Sequence, residues 1–135
     1  QGSAIAQNLL AASHLTTPII TVIYGEGGSG GALALACGDQ VWMLENSTYS
    51  VVSPEGAASI LWKDSSKADR AAEIMQMTPK ALLKQKVIEG IIPEPDDKKE
   101  LCQNIADVLS QQIAKLQQLS PSELIQQRQQ RFRKF

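Results

Sequence analysis

Seven consecutive residues, Gly25-Glu26-Gly27-Gly28-Ser29-Gly30-Gly31, concentrate the chemistry this chain can offer. Five glycines in that span mean a backbone that approaches something closely, or one that takes angles a side chain forbids. A tight strand-to-helix turn would suffice, but three chemistries also fit the letters. Gly25, Gly27 and Gly30 satisfy GxGxxG after a strand-like run and before a helix, and Glu45 lies about 20 residues on, where a ribose partner would stand. Gly27-Gly28-Ser29-Gly30-Gly31 satisfies GxSxG, which would place Ser29 as a nucleophile on a strained turn. The third chemistry uses no side chain. Adjacent backbone N–H groups at a helix start, those of Gly30 and Gly31, can aim at an oxygen that becomes negative during reaction. Gly27, Gly28, Ser29 and Glu26 would then line the approach, with Glu26 organising the turn through hydrogen bonds.

Order along the chain separates these chemistries. A hydrolase triad runs serine, acid, histidine, whereas the only histidine, His14, precedes Ser29 and suits a capping or surface role. No lysine follows the glycines, so the turn is not a Walker A loop. The helix after the glycines is short and no second βαβ unit succeeds it, which weighs against a dinucleotide fold while leaving it as the alternative. An oxyanion site remains, and deleting one such donor typically costs about 10²- to 10³-fold in rate.

The elements that must position the glycines are strands and helices in alternation. Gly2 to Leu15 has the spacing of an amphipathic helix that begins with no strand or cap ahead of it, as in a chain that starts inside something longer. Thr17 and Pro18 break it, and Ile19 to Tyr24 is a continuous β-branched run suited to a strand buried on both faces. A short helix should follow from Gly30 or Gly31, with Gly38 as its C-cap. Val41–Leu44 and Tyr49–Val52 read as strands around a polar turn at Glu45, Asn46 and Ser47. Ser53-Pro54-Glu55-Gly56 opens a helix with serine as N-cap and proline in the first turn. Lys67–Met77 and Pro79–Ile88 read as two more helices, and Gly90 to Pro95 as an extended connection. Residues 96–135 read as helical and glutamine-rich, with an apolar stripe at Leu101, Ile105, Val108, Leu109, Ile113, Leu116 and Leu119 and a restart at Ser120-Pro121. No internal repeat is legible.

Composition narrows the function classes. With 135 residues and 43% hydrophobic content the chain can bury one core. A net charge of -1 gives no basic field to draw in nucleic acid. No apolar run reaches the roughly 20 residues of a membrane span, and no signal-peptide order is present, so a cytoplasmic setting is expected. Cys37 and Cys102 form no CxxC pair and read as small buried hydrophobes; with a single histidine, no metal site is expected in this chain. Trp62, Lys63 and Lys67 read as packing plus a solvated face, and Arg70, Lys80 and Lys84 as surface cations. Arg128, Arg131, Arg133 and Lys134 read as cations that complement the end of a last helix.

The stretch IITVIYGEGGSGGALALACGDQVWMLENSTYSVVSPEGAASILWK, with KVIEGIIPEP further on, resembles the carboxyltransferase alpha subunit of bacterial acetyl-CoA carboxylase. The likeness covers nearly the whole chain and is strongest from Thr21 to Lys63 and from Lys86 to Pro95. It implies an α/β crotonase fold, a spiral of ββα units related to the ClpP and enoyl-CoA hydratase folds, with residues 1–95 as the C-terminal part of that core and 96–135 as a helical extension. It also implies an α2β2 assembly with a zinc-ribbon beta subunit, the zinc lying in that other chain and the active site between the two. The reaction implied moves CO2 from carboxybiotin, carried on the biotin carboxyl carrier protein, to acetyl-CoA, giving malonyl-CoA. Gly30 and Gly31 match the family's oxyanion-forming pair, with Gly27 and Gly28 shaping the approach. The family has a further glycine- and proline-containing loop ahead of the first helix, so these residues alone are expected to be inactive and to leave an apolar face on that helix.

Overall fold

The β-branched run after Pro18 becomes strand β1, Ile20–Ile23, in a computed structural model that describes residues 2–134. Ahead of it lies helix α1, Gly2–His14. The chain leaves β1 not into a loop but into a second strand, β2, Glu26–Gly28, and only then enters helix α2, Ser29–Leu35. The same order follows again: β3, Gln40–Leu44, then β4, Thr48–Ser50, then α3, Pro54–Trp62. A 3₁₀ turn at Ser65–Lys67 leads into α4, Ala68–Met75, and α5, Pro79–Lys84. Strand β5, Gly90–Ile92, starts a third round, and α6, Lys98–Leu116, and α7, Pro121–Phe132, complete the described chain.

Two parallel sheets result, one from the first strand of each round and one from the second. β1, β3 and β5 lie side by side, with Val22 opposite Trp42 and Met43 opposite Ile91. β2 pairs with β4, with Gly27 opposite Tyr49 and Gly28 opposite Ser50. The unit is therefore ββα, repeated, although no repeat is visible in the residue letters. Its recurrence is a recurrence of geometry, with different side chains filling equivalent places.

The core lies between the three-stranded sheet and the helices behind it. Ile23, Val41 and Met43 from the sheet meet Ala36, Leu82 and Ile88. A smaller cluster of Ala57, Ala58 and Ala71 joins α3 to α4, where small side chains let two helices approach closely. Between α2, β4 and α7 lies an apolar cavity of about 420 Å³ bordered by Leu33, Tyr49, Val52, Met75, Phe132 and Arg131.

Several expectations from the residues need correction. Glu26–Gly28 is a strand, because the β2 backbone bonds to β4 with no need of apolar side chains. Gly90–Ile92 is a strand too, since β3 offers an open edge on which it pairs. Helix α5 stops at Lys84, where Lys86 takes a positive φ of 61° and the Val87 N–H turns back to the Leu82 carbonyl. The C-cap of α2 is Ala36; Gly38 serves a close approach instead, because a β-carbon there would lie 2.6 Å from Ile19 Cγ2. Cys102 is exposed, while Cys37 is half-buried, and burial raises its thiol pKa above the ordinary value.

The largest correction concerns α7. Arg128 and Arg131 are not helix-end cations facing water; they are 2% and 9% exposed and each forks onto a carboxylate. Arg128 Nε and Nη2 donate to the two Asp39 oxygens at 2.9 Å each, and Arg131 Nε and Nη2 donate to the Glu89 oxygens at 2.7 and 2.9 Å. Each carboxylate also accepts a backbone N–H of the neighbouring strand region: Asp39 from Ile19 at 2.7 Å, Glu89 from Val41 at 2.6 Å. A planar guanidinium suits such bidentate pairing, and removing one partner of a buried pair costs about 3–5 kcal/mol.

Candidate active site

The glycine turn lies at the surface, at the junction of β2 and α2. Gly28 is the N-cap of α2, with extended angles φ -127° and ψ 155°, and provides no side-chain acceptor for the first turn. The N–H groups of Gly30 and Gly31 are among those that an α-helix leaves without an internal acceptor. A side chain caps four of the other helices, with Ser53 on α3, Thr78 on α5, Asp97 on α6 and Ser120 on α7 each accepting from a first-turn N–H, while α4, like α2, has no side-chain cap. At α2 the donors are left to face outward.

Glycine is not present here for its angles. No described glycine has a positive φ; the positive angle of the turn, 60°, falls on Ser29. A non-glycine residue held there costs of order 1–3 kcal/mol, so the junction is strained at the one position that carries a side chain. Nor is glycine needed to clear the chain's own atoms at most of these positions. A β-carbon at Gly25, Gly28 or Gly31 would meet nothing within 4 Å, and one at Gly30 would meet only Ile5 Cδ1, at 3.7 Å. Gly27 differs, with Ile23 Cγ2 at 3.1 Å. Neither conformation nor packing among the described residues calls for glycine at Gly28, Gly30 or Gly31.

Around the turn, a cavity of about 230 Å³ runs along β1 from Thr21 to Tyr24 and is bordered by Gly25, Gly27, Ala32 and Leu35. Tyr24 is 80% exposed and Leu35 71%, so apolar surface stands open on either side of the glycines. Glu26 is exposed and pairs through its backbone with Thr48, and its carboxylate makes no hydrogen bond among the described residues; it does not organise the turn. Ser29 is exposed as well, and its hydroxyl makes no hydrogen bond among the described residues. The His14 ring is held at the end of α1, where Nδ1 lies 2.8 Å from the Leu10 carbonyl oxygen and 3.1 Å from Ser13 Oγ.

The topology removes the dinucleotide alternative. That fold needs the glycine turn to join one strand directly to the helix that crosses to the neighbouring strand, whereas here β2, in another sheet, intervenes between β1 and α2. Glu45, the supposed ribose partner, is exposed in the turn after β3, and its N–H bonds to Ile92. Among the described residues no group of three or more His, Cys, Asp or Glu side chains could hold a metal ion, and no helix is long and apolar enough to cross a membrane.

The recurring ββα unit with its two parallel sheets is the crotonase fold, and solved structures agree. The chain superposes on a chain of the transcarboxylase 12S structure with methylmalonyl-coenzyme A bound, at a TM-score of 0.57 and 20% identity, over 78% of this chain and 22% of that one. It also superposes on an enoyl-CoA hydratase from Mycobacterium avium subsp. paratuberculosis, at a TM-score of 0.52 and 19% identity, over 95% of this chain and 60% of that one.

Within that fold the chain belongs to the acetyl co-enzyme A carboxylase carboxyltransferase-like family, whose model matches residues 1–135. It is 53% identical to the acetyl-coenzyme A carboxylase carboxyl transferase subunit alpha of Streptococcus pneumoniae strain CGSP14 and 56% identical to that of Streptococcus equi subsp. zooepidemicus. Both matches take in all of this chain and 53% of the relative, so the chain spans about half the length of the proteins it resembles.

Proposed function

We propose that this chain forms the alpha-side half of a carboxyltransferase active site in acetyl-CoA carboxylase, and that the N–H groups of Gly30 and Gly31 hold an oxygen that becomes negative as the carboxyl group moves. The observation that carries this reading is the open space at Gly28, Gly30 and Gly31, which nothing within the chain requires. Family membership supports the reaction class.

Carboxybiotin, delivered on a biotin carboxyl carrier protein, would supply the carboxyl group, and acetyl-CoA would receive it to give malonyl-CoA. The residues present suit a planar carbonyl of the ureido or thioester kind. Gly28, lacking a side chain, lets such a group come within hydrogen-bonding distance of the first turn, Gly27 and Ser29 shape the entry, and Gly30 and Gly31 donate. Glu26 stands at the rim. Donors fixed in a helix need not reorganise as charge develops, which is why they stabilise a transition state better than water does. Glu26, the one ionisable side chain of the turn, stands exposed at the rim, so we take this half of the site to bind and polarise and the opposite wall to come from a second subunit. We assign that wall to a zinc-ribbon beta subunit in an α2β2 cytoplasmic enzyme.

The test joins the full-length alpha chain to its beta subunit and follows malonyl-CoA-dependent carboxylation of free biotin, the reverse reaction. Activity should require both chains and fall about 10²- to 10³-fold in Gly31→Val, as for loss of one oxyanion donor. An undiminished rate in that variant would remove Gly31 from the mechanism; absence of the activity from the wild-type pair would remove the reaction.

A further inference from the structure

We infer that Arg128, on α7, is a positioning residue that holds α1 in place beside the glycine turn, an inference that rests on the function proposed above. Helix α1 buries none of its residues, so apolar packing does not fix it; it touches α2 and α7 along exposed or half-buried faces. What fixes its end is polar. Arg128 Nη1 donates to the Ala12 and Leu15 carbonyls at 2.7 and 2.8 Å, and Nη2 donates to the Thr17 carbonyl at 3.0 Å. The same guanidinium forks onto Asp39, whose Oδ2 accepts from the Ile19 N–H. One buried side chain thus ties together the end of α1, the link into β1 and the link into β3. All five N–H groups of the guanidinium are used, and a lysine, with three donors radiating from a single point, cannot match them.

The other end of this arrangement is the site. Ile5 of α1 is the neighbour of Gly30, with its Cδ1 3.7 Å from where a β-carbon would stand. A helix held by carbonyls at its C-terminal end and resting on Gly30 nearer its N-terminal end transmits the position of Arg128 to the oxyanion donors. Arg131 gives an internal comparison. It has the same bidentate pairing, with Glu89, and donates to the Val87 carbonyl, but none of its bonds reaches α1. Both arginines hold the fold, and only Arg128 spans from the core to the helix beside the glycines.

The experiment uses the full-length alpha chain assembled with its beta subunit and compares Arg128→Lys with Arg131→Lys. kcat and KM for malonyl-CoA-dependent biotin carboxylation are measured at a temperature where circular dichroism shows each variant folded, together with amide hydrogen exchange over residues 2–17 and over 32–36, the α2 amides that have intrahelical acceptors. Arg128→Lys should lower kcat about 10- to 100-fold, the scale of a small misplacement at a reacting centre, and leave KM within about twofold. Exchange should rise over both segments in that variant alone. Arg131→Lys should lose a similar amount of thermal stability while its kcat stays within about twofold of wild type. An unchanged kcat in Arg128→Lys, equal kcat losses in the two variants, or unchanged exchange at residues 32–36 would each overturn the inference. If the wild-type pair shows no carboxyl transfer, the proposed function has failed, and the positioning of the turn is decided by exchange alone: a rise at 32–36 in Arg128→Lys supports it, and none refutes it. Should Arg128→Lys not fold, Asp39→Asn, which keeps an acceptor and weakens the fork, is judged by the same criteria.

Discussion

Helices α2 and α3 leave the ends of two paired, parallel strands, β2 and β4, yet their first turns are built in opposite ways. At α3, Ser53 caps the turn through the Gly56 N–H at 3.1 Å, Pro54 presets the first helical angle, and Glu55 places a carboxylate in the first turn. At α2 the corresponding residues are Gly28, Ser29 and Gly30, with no cap, a strained φ at Ser29, and no acid in the first turn. Each device that would stabilise a helix start by about 0.5–2 kcal/mol is missing where the site is proposed and present at the equivalent place in the next unit. Such local inconsistency is where functional demand outweighs stability.

The sharpest contrast lies between two glycines at the same helical position, Gly31 in α2 and Gly56 in α3. The largest effect expected anywhere in the molecule is the loss of activity in Gly31→Val described above. Alanine at these two positions should separate further, and in sign. At Gly56 a β-carbon would lie 2.8 Å from Val52 Cγ2 and 3.2 Å from Ser53 Oγ, so Gly56→Ala should destabilise by about 1–3 kcal/mol, as overpacking does. At Gly31 nothing lies within 4 Å and φ is not positive, so Gly31→Ala should stabilise the fold by about 0.4–1 kcal/mol through the unfolded chain while slowing carboxyl transfer. Urea unfolding of both variants checks the signs. Equal destabilisation at the two sites would mean that Gly31 is a packing glycine after all.

A smaller effect should follow from removing the cap that α2 lacks and α3 has. Ser53→Ala is expected to cost about 1 kcal/mol in urea unfolding, with catalysis unaffected once the protein is folded. Introducing the cap at α2, by contrast, would bring an acceptor to the donors that the substrate oxygen is proposed to use. If Ser53→Ala proved neutral, the difference between the two helix starts would carry no energetic meaning.

What the residues disclose follows the same division. Local chemistry is legible: the β-branched run at Ile20–Ile23, the Ser53-Pro54 and Ser120-Pro121 starts, and the glycine cluster itself all announce themselves within a few positions. Anything settled by pairing with a distant segment is not. β2, Glu26-Gly27-Gly28, has no strand-favouring residue and exists because β4 lies beside it. Arg128 meets Asp39 across 89 positions and Arg131 meets Glu89 across 42, so a buried fork and a solvated helix end look alike in the sequence. One signal could have been used: Arg128 and Arg131 lie one turn apart on the same face as Leu124, which is itself 2% exposed. The glycines misled in a subtler way, since their density suggested forbidden angles, and the structure places the forbidden angle on Ser29 instead.

The smallest expected effect tests the other extreme of the comparison, the fully capped start of α7. There Ser120 Oγ accepts from the Glu123 N–H while the Glu123 carboxylate accepts from the Ser120 N–H at 2.8 Å and from its hydroxyl at 2.6 Å. The hydroxyl bond first, and the backbone bond second, pull the Glu123 pKa below its ordinary 4.5. A carboxylate whose folded pKa is depressed adds stability that is fully present above the unfolded value and is lost as pH falls through the folded one. Protection of the amides at 122–124, corrected for intrinsic exchange, should therefore decline as the solution is taken from neutral to well below pH 4.5, and in Glu123→Gln that pH dependence should vanish. The first turn of α2 has no acid to titrate, so protection at 32–36 should not follow this course. Parallel acid loss at both helix starts would show that the two ends respond to global unfolding and not to their own caps; loss at α7 alone would place the difference in the first turns themselves.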